Sequence, residues 1–419
     1  MADGSAYSVM VGIGETYLGV FVLAMGMGQI ASGLIATVPL LVGSLLQLIA
    51  PRLIKLLGSH RRWVSLCALL QAASFAPLII GALIGSMPIW LVFAIASVYW
   101  ATSLGCGPAW NTWMGSVIPA RVRVRFFARR SRASQLATLV GFLTGGVILQ
   151  AAAPAGYELM AFAALFLIAG ICRFMSATFL FNISEPEPPG NDHERVSFYS
   201  IFRGHANTGL LVFLLLMQVC VQISGPYFTP YMREQLHLSY WQYAAMVGVQ
   251  FGSKMIAMPF LGSIAHRFGA DKLLWLSSLC VIPLSALWIV SDNFVYLLGL
   301  QSLAGIFWGG YELAFLLLFF EAIPARERTS LLTNFNVANS AAICLGSLFG
   351  WMLFYNLGTD QQTYYVAFAI SSCLRAMVVS GLVWLPLIRL RTRPMAVRSI
   401  GMRATDTSLD EPILPSIED

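Results

Sequence analysis

Twelve stretches of about 20 mostly apolar residues run through this chain, and each has the length needed to cross a hydrocarbon core. They fall at 7–27, 31–50, 63–84, 88–109, 132–152, 158–181, 208–230, 241–261, 273–291, 294–318, 331–354 and 364–387. Membrane depth offers no water, so a spanning backbone must satisfy itself as a helix or a closed barrel. Barrel strands are about 10 residues long and alternate in polarity. These stretches are about twice that length and continuously apolar, which predicts an all-α polytopic membrane protein with twelve transmembrane helices. The first stretch has no basic leading region and the second follows after a short turn, so it reads as a span rather than a cleaved signal. Composition agrees. Hydrophobic residues make up 58% and charged residues 11%, with a mean hydropathy of +0.74, whereas soluble domains carry about 25% charged residues. That excludes a water-soluble enzyme, a nucleic-acid module and a disordered tail protein.

The net charge of +6 is explained by placement. With the N-terminus inside, 21 of the 25 Lys and Arg residues fall on inside turns and in the tail. One, Arg233, falls outside, and Arg173, Lys254 and Arg375 fall within spans. This split satisfies the positive-inside rule and checks the span count, since one missed helix would scramble the alternation. The basic balance therefore reads as membrane topology and not as nucleic-acid binding. The six Arg between 121 and 132 read as an inside anchor that can touch anionic lipid. The seven Cys all fall within spans and none forms a CxxC pair, so they read as small apolar packing residues, with no disulfide framework or metal site.

The chain repeats itself. Residues 118–123 read IPARVR and 323–328 read IPARER. At the same offset of 205, Gly141 and Gly145 match Gly346 and Gly350, and at an offset of 202 Arg173 in ICRFM is echoed by Arg375 in CLRAM. A polar, Pro-rich segment, 182–207, separates the sixth and seventh stretches. The expected organisation is an N-terminal six-helix half at 1–181, a cytoplasmic linker at 182–207, a C-terminal six-helix half at 208–387 and a cytoplasmic tail at 388–419. Parallel repeats of this kind describe the two halves of a large transporter class.

After the eighth stretch comes Gly262-Ser-Ile-Ala-His266-Arg267-Phe268-Gly269-Ala-Asp271-Lys272. It resembles the major facilitator superfamily signature G-x-x-x-D-R-x-G-R-[RK], which joins helices two and three and recurs between eight and nine. The counterpart in the first half, Pro51 to Arg62, is degraded: Pro51 replaces the opening Gly and Lys55 the acid, while His266 stands at the acidic position of the better copy. In the family that acid helps hold an inside gate, so Gly262, His266, Arg267 and Gly269 are the candidate gating motif and the acid is missing from both copies. Gly141, Gly145 and Gly146 supply the glycines of a family antiporter signature in helix five, but Pro154 comes too late to complete it. The resemblance implies a cavity lined by helices 1, 4, 7 and 10, flanked by 2, 5, 8 and 11, with 3, 6, 9 and 12 outside.

Ionisable residues at membrane depth are costly and mark function by default. Five stand out: Glu15, Arg173, Lys254, Glu312 and Arg375. Gln301, Trp308 and Glu312 are spaced 7 and 4 apart with Tyr311 beside them, so they share a helical face. Desolvation disfavours the charged form of a carboxyl, and reversible proton carriage uses that property; the alternative is an acid locked in an ion pair. Glu15 lies in Gly12-Ile-Gly14-Glu15, where glycines permit close approach or local unwinding, and its own helix offers it only apolar neighbours. Gln250 and Lys254 share a face of the eighth stretch, where Lys254 can attract an anion or neutralise an acid. Arg173 and Arg375 occupy equivalent places on outer helices, where a structural role is the expectation and an anion-facing role the alternative. Asn111, Gln218, Gln222, Asn336 and Asn339 can contact a solute or bond across helices.

No HExxH, P-loop or dinucleotide-binding context is present, so no enzyme, cofactor or ATP-driven step is expected. The resemblance implies a secondary transporter working by alternating access; the embedded residues make Glu312 or Glu15 the candidate proton carrier and Lys254, Gln250, Trp308, Tyr311, Asn111 and Gln222 the candidate substrate contacts. Three embedded cations against two embedded acids tilt the solute toward an anion or zwitterion. Efflux of lipophiles, translocation of lipid, and a receptor or scaffold without transport are the other readings. The expected setting is a monomer in a lipid bilayer, both termini cytoplasmic, suited to a bacterial inner membrane, with a small-molecule substrate, protons and no nucleic acid as partners.

Overall fold

The computed structural model describes residues 2–185, 208–322 and 328–381. Residues 1, 186–207, 323–327 and 382–419 lie outside them. The second copy of the IPAR repeat, most of the linker and the whole tail fall there. The described residues belong to one compact unit, Met1–Ile388; a second unit, Arg389–Asp419, falls outside them.

Twelve helical spans are long and apolar enough to cross a membrane, and no strand occurs among the described residues. Spans 1 to 6 are Ala2–Ala24, Gln29–Gln47, His60–Ile84, Ile89–Met114, Arg129–Ala155 and Glu158–Phe181. Spans 7 to 12 are Gly209–Gln235, Tyr240–Phe268, Ala270–Ile289, Phe294–Phe319, Asn334–Leu357 and Gln361–Gly381. Each matches one stretch expected from the sequence, with shifted ends; span 8 runs on to Phe268 instead of stopping near 261. Large apolar side chains such as Leu56, Ile256, Phe260 and Val295 stand more than two-thirds exposed. A surface of that kind is not stable against water and suits hydrocarbon.

Several spans are interrupted, and the interruptions recur in pairs. Span 1 is helical over Ala2–Ile13, tightens to a 3₁₀ turn at Glu15–Tyr17 and resumes at Leu18–Ala24. Span 7 does the same with a 3₁₀ turn at Gly225–Tyr227, where Pro226 has no N–H to give the ladder. Spans 3 and 9 break near Ser74 and near Pro283. Gly14 sits at the first break because a Cβ there would lie 2.7 Å from the Phe75 ring.

Packing follows the repeat. Span 1 lies against spans 5 and 6, span 2 against span 4, and span 3 against spans 4 and 6. In the second half span 7 lies against spans 11 and 12, and span 10 against spans 8 and 9. Span 5 packs on span 8 and span 2 on span 11 to join the halves. Further contacts between halves cluster at one end of the bundle. Tyr364 donates to Gln29 Oε1 at 2.7 Å, the Tyr240 hydroxyl meets the Glu158 carboxylate, and the Trp241 amide donates to Gln150 at 3.3 Å. Deeper in, the Thr37 and Ser347 hydroxyls lie 2.7 Å apart.

Candidate functional site

Polar groups on spans 7, 8, 10 and 11 converge on one cavity of about 440 Å³. Helical spacing places them. Gln218 and Gln222 are one turn apart on span 7, Gln250 and Lys254 one turn apart on span 8, and Asn336 and Asn339 nearly one turn apart on span 11. Span 10 adds Trp308, Tyr311 and Glu312. The cavity is thus built from the second half of the chain. Five of its side chains had no polarity to mark them in the sequence: Leu214, Val221, Phe251, Phe315 and Phe335 also line the wall.

The cavity wall carries an ion pair. Lys254 Nζ donates to Glu312 Oε2. Their side chains retain 27% and 50% exposure, so both charges stay open to the cavity. The approach of spans 8 and 10 makes the pair possible. A Cβ on Gly305 would lie 2.2 Å from the Gln250 carbonyl, and one on Gly309 would lie 3.2 Å from the Lys254 stem. Small residues at both positions let the backbones close until the two side chains meet. Trp308 and Tyr311 stand edge to face at 5.6 Å beside the pair.

The other expected residues lie elsewhere. Gln301 shares the helical face of Trp308 and Glu312, yet it is 7% exposed and stands outside the cavity wall. Face-sharing gives direction but not depth, and Gln301 is two turns closer to the opposite end of span 10. Asn111 is exposed on the long helix of span 4 and is also outside the wall.

Glu15 lies in the first half, at the 3₁₀ break of span 1. Its own helix offers it no partner, and span 4 supplies one: the Tyr99 hydroxyl donates to Glu15 Oε2 at 2.5 Å. Tyr99 packs on Phe75 at 5.7 Å, which fixes the ring. The sequence held no signal for this contact, whose partners are 84 residues apart.

Arg173 and Arg375 are 3% and 2% exposed, and both spend their guanidinium groups on the protein. Arg173 donates to Gln71 Oε1 at 2.6 Å and to Ser176 Oγ at 3.0 Å, and it stands 4.8 Å over the Tyr7 ring. Arg375 donates to the Val281 carbonyl at 3.2 Å and to Ser224 Oγ at 3.3 Å. Neither borders the cavity.

The motif residues sit at the turn between spans 8 and 9. Gly269 holds φ +97°, a conformation other residues rarely adopt, and ends the helix of span 8. Gly262 has open space at its Cα, and His266 and Arg267 are exposed, with the Arg267 guanidinium 5.2 Å over the Phe268 ring. In the first half, Gly58 turns the chain with φ +62°, and Ser59 caps span 3 by accepting from the Arg62 amide at 3.1 Å. A carboxylate serves this turn from far along the chain. Glu185 accepts from the Ser59 hydroxyl, from the His60 amide at 2.6 Å and from the Arg61 amide at 3.4 Å. Of the basic cluster at 121–132, Arg130 pairs with Asp3 at 3.4 Å and lies 4.0 Å over Trp110. No group of three or more metal-ligating side chains occurs among the described residues.

Solved structures share this arrangement. A point mutant of the nucleoside transporter NupG superposes with a TM-score of 0.70 at 12% identity, covering 91% of this chain and 98% of that one. A D-xylose–proton symporter gives 0.65 at 14% identity, covering 91% and 94%. A bacterial homolog of the human lysosomal transporter Spinster, in an inward-facing and occupied conformation, gives 0.64 at 14% identity, covering 91% and 92%. At these identities the likeness is one of fold. No curated protein sequence matches the chain. The sequence model of the Major Facilitator Superfamily matches residues 5–347 and again 210–411, and the chain belongs to that superfamily of membrane transporters.

Proposed function

We propose that this chain is a proton-coupled secondary transporter that moves a small solute by alternating access between its halves. One observation carries the reading: a Lys254–Glu312 ion pair stands open, beside several amides, in a cavity at membrane depth. An embedded pair that remains accessible can be opened by a proton. Protonation of Glu312 removes the partner of Lys254, changes the charge of the wall and so couples proton binding to solute binding. Glu15, held by Tyr99 at the break of span 1, is the second candidate carrier. Residues 1–181 and 208–387 are the two moving halves, with 182–207 joining them.

The contacts between halves support an orientation. Gln29–Tyr364, Glu158–Tyr240 and Gln150–Trp241 lie at the ends that the distribution of Lys and Arg places outside. Asn336 and Phe335, at the inner start of span 11, line the cavity. This reading gives a transporter closed to the outside and open to the cytoplasm. We place it as a monomer in a bacterial inner membrane with both termini cytoplasmic. Selection of anions or zwitterions by Lys254, the weak preference of the sequence, would require the solute to displace Glu312. Efflux of lipophiles and translocation of lipid gain little from a wall rich in amides.

The test is transport by purified protein in proteoliposomes. Ligands come from a thermal-stability panel of sugars, nucleosides, amino acids, organic anions and lipophilic cations at acid and alkaline pH, since a compound that binds only the folded state raises its melting temperature. The expected result is uphill accumulation driven by a proton gradient, lost in Glu312→Gln while counterflow persists. Binding without counterflow would instead mark a receptor or scaffold.

A further inference from the structure

We infer that the cavity of spans 7, 8, 10 and 11 takes an uncharged, polyhydroxylated solute with one flat apolar face, the chemistry of a sugar or a nucleoside. The inference rests on the transporter reading above and names the substrate class of the same site.

Charge comes first. Lys254 and Glu312 are the charged side chains of the wall, and they neutralise each other. The other embedded cations, Arg173 and Arg375, are buried and bonded away from it. An anion would have to take Lys254 from Glu312, and a cation would have to take Glu312 from Lys254. Either exchange trades one ion pair for another with little net gain, so the wall rewards neither sign of charge.

The amides point the other way. Gln218, Gln222, Gln250, Asn336 and Asn339 line the cavity, and none of their side chains has a hydrogen-bond partner among the described residues. Several amides elsewhere are spent on the protein: Gln71 Oε1 holds Arg173, Gln29 holds Tyr364 and Gln235 bonds the Thr359 carbonyl, while Gln47 Oε1 and Gln71 Nε2 are buried without a partner among the described residues. A carboxamide offers two N–H donors and one acceptor oxygen. A carboxylate ligand can only accept and an ammonium ligand can only donate, so either leaves half of each amide unmatched. A hydroxyl both donates and accepts, and several hydroxyls on one ring can match several amides at once. Leaving such groups unmatched in a desolvated site is costly, which turns the amides into a filter for hydroxylated solutes.

Trp308 supplies the flat face. Its indole borders the cavity together with the Tyr311 ring, the two rings standing nearly perpendicular at 5.6 Å. An aromatic plane beside polar groups stacks on the C–H face of a pyranose or on a base. The volume, about 440 Å³, is at the lower end of small-molecule sites. It holds a monosaccharide or a nucleoside and is small for a two-chain lipid.

The experiment measures thermal stabilisation and equilibrium binding of the purified full chain with two neutral arms, aldoses (D-glucose, D-xylose) and nucleosides (uridine, adenosine). The charged arms are succinate and tetraphenylphosphonium. The expected result is stabilisation by one neutral arm, which also tells sugar from nucleoside, and none by the charged arms. Affinity should fall roughly three- to tenfold in Gln222→Leu and in Asn339→Leu, one lost hydrogen bond each. It should fall further in Trp308→Ala. If Trp308→Ala does not fold, Trp308→Leu keeps the apolar bulk and removes the plane. Stabilisation by a charged arm alone, or by no hydroxylated compound, overturns the inference. Neutral binding without counterflow would sink the transporter reading and leave this inference standing; proton-driven transport of a charged solute would do the reverse.

Discussion

Tyr17 and Tyr227 are counterparts in the two halves. The Tyr17 hydroxyl donates to the Phe142 carbonyl at 2.6 Å, and the Tyr227 hydroxyl donates to the Ser347 carbonyl at 2.9 Å. Each ring lies over a glycine of the repeat. A Cβ on Gly145 would meet the Tyr17 ring at 2.6 Å, and one on Gly350 would meet the Tyr227 ring at 2.5 Å. Each tyrosine is the last residue of the 3₁₀ turn of its span, which turns it toward the neighbouring helix. The repeat that the sequence shows as paired glycines is therefore a repeated joint between spans 1 and 5 and between spans 7 and 11.

The joint predicts a pattern of tolerance. Gly145→Leu and Gly350→Leu should each destabilise the protein by about 1–3 kcal/mol, the usual cost of overpacking. Gly252→Ala, with nothing within 4 Å of its Cβ position, should leave the melting temperature within error. Equal melting temperatures in all three variants would mean that the tyrosine joint does not hold the fold.

Much of this was legible in the sequence. The twelve spans were readable because hydrocarbon forces continuous apolarity, and Lys254, Glu312, Trp308 and Gln250 stood out because polarity at depth is rare. What was hidden depends on contacts between distant segments. Tyr99 gave no sign that it would serve Glu15, and Gln301 carried the right periodicity at the wrong depth. The break near Gly14 was marked by its glycines, while those near Ser74, Pro226 and Pro283 show only in the structure.

Arg173 should behave as a structural residue. It is buried and bonded to Gln71 and Ser176, and removing a charged partner from such a cluster costs roughly 1.5–3 kcal/mol. Arg173→Met should lower the melting temperature and the folded yield. The KM for solute in the fraction that folds should stay unchanged. A KM raised tenfold with normal stability would place Arg173 in the transport path.

The contact between Tyr364 and Gln29 should bias the conformational equilibrium. It joins the halves at the end assigned to the outside. Tyr364→Phe removes the hydroxyl and little volume, so closure loses about one hydrogen bond, or roughly 0.5–1.5 kcal/mol. The outward-open population should rise by up to about tenfold. Spin labels at the exposed Ser86 and Asn356 would report it as a growing long-distance fraction. An unchanged distance distribution would show that closure does not depend on this bond.

Glu185 should replace, in the first half, part of what the missing motif acid does. Span 3 begins at His60, and its first amides need acceptors. Ser59 serves one, at Arg62. The Glu185 carboxylate serves His60 and Arg61 and accepts from the Ser59 hydroxyl. A carboxylate at a helix N-terminus also meets the positive end of the dipole. Just before it, the Ser184 carbonyl accepts from Trp113 Nε1 at 3.2 Å, so the segment after span 6 is tied to spans 3 and 4 together. Glu185→Ala should destabilise by about 0.5–2 kcal/mol, the range of a lost cap. Ser59→Ala should cost a similar amount. Because the two side chains touch, the double variant should cost less than the sum, with a coupling of roughly 0.5–1.5 kcal/mol in a double-mutant cycle. Strict additivity would separate Glu185 from the cap, and the order at this turn would then come from Gly58 and Ser59 alone.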